Sequence, residues 1–206
     1  MGLKIIKFLK RLKIIKDTKG VKNYKILKKL KNYKKTQKEE IMDISKFELF
    51  EKALEKNLAK TINEIISSQK KVNSIAFITT DDFYGFYVAY NNIEENGEYD
   101  TAEWDGIYPD YLYDPLVEIV HNTEDIDFTK ESDEKWEFAE NIIFILGKQL
   151  KQVSDEIYKE NNYRREDILY FATMSDGDYI YEMTDESLKV FNSQATIEKY
   201  KGIKLH

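Results

Sequence analysis

Residues 94–134 concentrate the groups best suited to recognition chemistry. Fifteen acidic residues stand there against Lys130 alone, with Tyr99, Trp104, Tyr108, Tyr111 and Tyr113 set among them. Carboxylates steer a basic partner and raise its association rate. Large rings supply the desolvated anchors on which affinity rests. Glu103, Trp104, Asp105, Tyr108, Tyr111 and Tyr113 have both components and form the expected protein-docking set. The plainer alternative makes Trp104 and some tyrosines core and the acids an ordinary solvated face. The chain's fifteen tyrosines favour recognition, because Tyr joins a large contact area to a polar tip.

Catalytic signatures are missing from the sequence. It has no glycine-rich phosphate loop, no HExxH pair and no nucleophile elbow. With no cysteine, thiolate metal sites, disulfides and a cysteine nucleophile are excluded, and a reducing compartment is favoured. His121 is the one internal histidine, so acid–base work would fall to carboxylates, Tyr or Lys. Asp81, Asp82, Glu103, Asp105 and Asp176 are the carboxylates a cation site would need. Their spacing lacks the alternating ligands of a calcium loop, and solvated turn residues explain them better. No catalytic residue, metal or cofactor is therefore expected. A carboxylate-dependent enzyme is the remaining alternative to a non-enzymatic binding protein.

Charge is segregated along the chain. The formal net charge is −6, but residues 1–38 carry fourteen lysines and Arg11 against Asp17 alone. That arm is +14, which leaves −20 on the rest. Lysine recurs at every third position from Lys4 to Lys34. Ile5, Phe8, Leu9, Leu12 and Ile15, then Ile26, Leu27, Leu30 and Tyr33, fall at helical spacing. The segment from Lys7 to Lys13 returns 18 residues later, from Lys25 to Lys31, and Gly20 is the natural break between the two. Lys7, Lys10, Arg11, Lys13, Lys28, Lys29 and Lys31 are the expected contacts to an anionic surface. A membrane surface fits such a basic amphipathic helix. Nucleic acid would also fit the charge, but no reading motif accompanies it. A merely solvated arm is the bland alternative. No apolar run is long enough for a signal peptide or a membrane span, and Ile6 stands where a myristoylation motif needs Ser or Thr. A cytoplasmic protein, peripheral at the inner membrane face if the arm binds lipid, is the resulting expectation.

Charge reverses at Glu39-Glu40, which divides the chain into a basic arm, 1–40, and an acidic domain, 41–206. Ile44, Phe47, Phe50, Leu54, Leu58, Ile62 and Ile65 predict a helix to about Ser68. Val72–Thr80 and Phe83–Tyr90 predict two strands turning at Asp81-Asp82, with Gly85 marking a bulge or close backbone approach. A short helix near Leu112–His121 is limited by Pro109 and Pro115. A long helix is expected from Glu134 to about Asn161, with Trp136, Ala139, Ile142, Ile143, Leu146, Leu150, Val153 and Ile157 inward. Asp167–Met174 and Asp178–Met183 predict a second hairpin through Asp176-Gly177. A helical segment near Ala195–Tyr200 closes the chain. The fold class is α+β: an antiparallel sheet of about four strands with two long helices on one face.

Residues 45–202 resemble the bacterial family known as domain of unknown function 4303. The likeness lies in the Phe47-containing helix, the strand Ile75-Ala76-Phe77-Ile78-Thr79-Thr80-Asp81-Asp82, and Glu103-Trp104. The long second helix and Phe191-Asn192 with Glu198-Lys199-Tyr200 complete it. The resemblance implies a small acidic protein of the kind encoded near bacterial toxin systems, some of which act as immunity partners, and the acidic domain makes a basic toxin the expected partner. It supplies no functional residues.

Overall fold

The computed structural model describes residues 44–68, 71–94, 97–177 and 179–205. The expected contacts of the basic arm, Lys7 to Lys31, lie outside the described residues. Ser45–His206 is one compact unit, and it is α+β.

A 3₁₀ turn, Ile44–Phe47, leads into α1, Glu48–Ser68. Leu54, Leu58, Ile62, Ile65 and Ile66 are buried along one stripe of α1, while Glu48 and Glu51 favour its positive N-terminal end. Strands β1, Ser74–Thr79, and β2, Phe86–Asn91, form the expected antiparallel hairpin. Gly85 sits where the chain closes on itself. A Cβ there would stand 2.9 Å from Thr80 Cγ2, and the Gly85 amide donates to Thr80 Oγ1 at 2.9 Å. Short β3, Glu98–Tyr99, a 3₁₀ turn at Thr101–Glu103, and β4, Asp105–Ile107, follow. Helix α2 spans Asp110–His121 and runs through Pro115, with Pro109 as its N-cap residue.

The long second helix ends earlier than its apolar period suggests. Helix α3 spans Asp133–Leu150, and α4, Asp155–Glu160, begins anew. Ser154 caps α4 by accepting from the Glu156 amide. At the break, the Arg165 guanidinium donates to the carbonyl of Leu150 at 2.7 Å and to that of Val153. These bonds satisfy carbonyls that a continuous helix would have used itself.

The second hairpin does not form. Strand β5, Leu169–Met174, leads through Gly177, at φ +96°, into α5, Ile180–Phe191. Met183, Thr184, Ser187 and Phe191 recur at helical spacing and are buried. That period outweighs the Asp176-Gly177 turn signal that predicts a hairpin. Strand β5 instead pairs parallel with β1, which makes the sheet mixed, in the order β4-β2-β1-β5. Helix α6, Gln194–Lys199, and β6, Lys204–Leu205, finish the chain, with β6 parallel to β3.

Both faces of the sheet are covered, so every residue of β1 and β5 is buried. On one face Phe50 of α1 meets Phe86, and Phe191 of α5 meets Phe77, both edge-to-face. On the other, Ala76, Ile78, Ala89 and Phe171 pack with Trp104 and Tyr200.

The two sheet edges differ. Helix α5 lies along β5 and closes its outer side with side chains. Ser187 Oγ accepts from the Ala172 amide at 2.7 Å and donates to the Ala172 carbonyl at 3.0 Å. Asn192 does the same for Tyr170, accepting from its amide at 2.9 Å and donating to its carbonyl at 2.6 Å. Two side chains thus stand in for a fifth strand. Ser187→Ala is expected to cost about 1–3 kcal/mol in urea unfolding, because both Ala172 groups lose a buried partner. An unchanged midpoint would contradict this role.

Candidate functional site

The open edge of the sheet is β4. Its register places Asp105 opposite Tyr90, Gly106 opposite Ala89 and Ile107 opposite Val88. Strand faces alternate, so Trp104, Gly106 and Tyr108 lie to one side and Asp105 and Ile107 to the other.

The structure divides the expected docking set along these lines. Trp104 is 9% exposed and stands edge-to-face on Phe171 at 5.7 Å. It is a core residue, which corrects its expected role as an anchor: its position behind the 3₁₀ turn directs the ring onto the sheet. Glu103 and Asp105 flank it and are exposed. Tyr108 is 75% exposed, and its ring stacks on Tyr87 at 5.1 Å and 28°. Burial pushes the Tyr87 phenol above its ordinary pKa, and Tyr108 and Asp100 add to the shift.

Tyr111 and Tyr113 part company because two residues of helix turn by about 200°. Tyr113 is exposed. Tyr111 turns towards α1, where its hydroxyl donates to Thr61 Oγ1 at 2.6 Å. Burial pushes its phenol up to about 12, so it stays neutral and keeps that proton. Between α1 and the start of α2 runs a groove of about 300 Å³, with Lys60, Thr61 and Glu64 on one wall and Ile107, Tyr108 and Tyr111 on the other. Of the six expected residues, Tyr108 and Tyr111 line this groove, Glu103 and Asp105 are exposed before and at the start of β4, Tyr113 is exposed on α2, and Trp104 is core.

Of the other carboxylates, Asp82 acts locally as a turn residue, whereas Asp81 and Asp176 make contacts distant in sequence. Asp82 Oδ1 accepts from the Thr80 hydroxyl and the Tyr84 amide, and Asp176 Oδ1 accepts from the Asp81 amide at 3.0 Å. Among the described residues, no three His, Cys, Asp or Glu side chains gather as a metal site would require. His121 is exposed at the end of α2, with its ring edge-to-face on Tyr84. No described helix is long and apolar enough to cross a membrane.

One charged pair was not foreseen from the sequence. Lys135, in the first turn of α3, has a side chain 1% exposed, with Nζ 2.7 Å from Asp81 Oδ2. Its ammonium also faces the Tyr179 ring at 5.9 Å. Tyr179 Oη in turn accepts from the Ser132 amide and donates to the Ser132 carbonyl. The signal was there: Lys135 is in phase with Phe138, Ala139 and Ile142, whereas Trp136, assigned to that stripe, is only half-buried. The pair joins the loop after β1 to α3.

No family model, curated protein or solved structure matches the chain.

Proposed function

We propose that the domain binds a basic protein through the rim around β4, acting as a neutralising or immunity-type partner in the cytoplasm rather than as an enzyme. The observation that carries this reading is Tyr108, 75% exposed yet held by its stack on Tyr87, in a stretch of chain that also exposes the acids Glu103, Asp105 and Asp110. A ring held in place before binding loses little freedom on contact, so more of its buried area becomes affinity. The surrounding carboxylates steer the partner in, consistent with the −20 carried outside the basic arm. Residues 1–38 lie outside the described structure and contribute nothing to this reading.

The test is binding of the full chain to the product of the adjacent gene. Glu103→Lys with Asp105→Lys is expected to slow association at least about tenfold and to flatten its salt dependence. Tyr108→Ala is expected to weaken affinity by about 1–2 kcal/mol, mostly through faster dissociation. Binding indifferent to all three substitutions would remove the proposal.

A further inference from the structure

We propose that the partner is held by strand addition: an extended Lys- or Arg-bearing segment pairs with the outer edge of β4. This rests on the docking reading above and adds its mode.

The hydrogen-bond phase of the sheet can be followed from strand to strand. Ser175 N–H donates to the Thr79 carbonyl, so odd-numbered residues of β1 face β5. Thr80 N–H donates to the Gly85 carbonyl, so even-numbered residues of β1 face β2, and Tyr87 and Ala89 answer them. Val88 and Tyr90 therefore turn their backbone groups to β4, opposite Ile107 and Asp105. Gly106, between those two, directs its N–H and C=O away from the sheet, and it is exposed.

The contrast with the other edge favours a use for this one. Along β5, Ser187 and Asn192 occupy the outward backbone groups of Ala172 and Tyr170. Along β4 no described residue occupies those of Gly106. Unprotected edges invite pairing with another chain, and proteins commonly block the ones they do not use. The surroundings select the occupant by charge. Exposed Glu103 precedes the strand and exposed Asp105 begins it, and Asp100 acts on the Tyr87 phenol beside the Tyr87–Tyr108 stack. A cation on the added strand would lie against those aromatic faces.

The probe is a synthetic peptide of about ten residues alternating Lys and Val, titrated against the full chain. Two versions carry N-methyl groups on one or the other alternate set of amides. Methylation of the set that faces the domain is expected to weaken binding about tenfold, and of the other set to leave it unchanged. Gly106→Pro removes the outward N–H and spares the Asp105 and Ile107 pairing, so a similar loss is expected. The Gly106 amide, read by hydrogen exchange, is expected to be fast in the chain alone and slow with peptide.

Equal binding of both methylated peptides overturns strand addition; if Glu103→Lys with Asp105→Lys still abolishes that binding, the docking reading survives. Binding indifferent to those reversals overturns both. A Gly106 amide already protected in the chain alone also overturns the proposal, because the edge is then occupied without a partner. Failure of every peptide overturns it as well, while charge-dependent binding of the adjacent gene's product would leave the docking reading standing.

Discussion

Asp81→Ala is expected to destabilise the domain by about 3–5 kcal/mol, the usual consequence of leaving a buried charge without its partner. The charge left behind is Lys135, whose side chain is 1% exposed at 2.7 Å from Asp81 Oδ2. The reverse substitution is not equivalent. The Asp81 side chain is 27% exposed, so water can take over from the ammonium. Its Oδ1 has no hydrogen-bond donor even with the lysine in place. Lys135→Met keeps the stem that packs in the helix stripe, and its expected cost is below about 1.5 kcal/mol. Combining Asp81→Ala with Lys135→Met is expected to recover most of the loss, because the two sites are directly coupled. Urea unfolding of the three variants checks this. Equal costs for the two single changes would mean that the ammonium is not the group at risk.

The second large effect separates the two rings that the sequence grouped together. Trp104→Ala is expected to cost about 3–5 kcal/mol, as removal of a large buried aromatic side chain does. Trp104 packs with Phe171, Ala76, Ala89 and Tyr200 on the sheet face opposite α1. Tyr108→Ala, four residues on, removes a ring that is 75% exposed and is expected to cost less than about 1 kcal/mol. Its loss should appear in binding instead. Thermal unfolding of both variants beside their partner affinities makes the distinction. A Tyr108 variant as unstable as the Trp104 variant would place both rings in the core.

Much of the architecture was legible because it is written in periods. The apolar stripe of α1 and the β-branched and aromatic runs of β1 and β2 each point to one structure. What escaped was non-local. The parallel pairing of β1 with β5 joins residues 95 positions apart in register, from Ser74↔Leu169 to Thr79↔Met174, and no local pattern encodes it. The segment after Gly177 follows an Asp-Gly turn signal and starts with Tyr179-Ile180-Tyr181, yet Met183, Ser187 and Phe191 keep a helical step over a longer span. The end of α3 depends on Arg165, which reaches back to carbonyls at Leu150 and Val153.

The site was legible in composition but not in geometry. Acids and aromatics are adjacent in the sequence, but which rings face outward follows from strand parity and helix phase. Trp104 shares a strand face with Tyr108, yet the sheet covers one ring and not the other. Tyr111 and Tyr113 separate because α2 begins at Asp110. The open edge of β4 became recognisable only once the strand order was known.

The most direct test of the docking surface is amide hydrogen exchange across the whole chain, free and with the adjacent gene's product bound. Slowed exchange gathered on residues 100–113, with α3 and α5 unaltered, is the predicted footprint. Slowing confined to those two helices, with residues 100–113 exchanging as fast as before, would contradict the assignment.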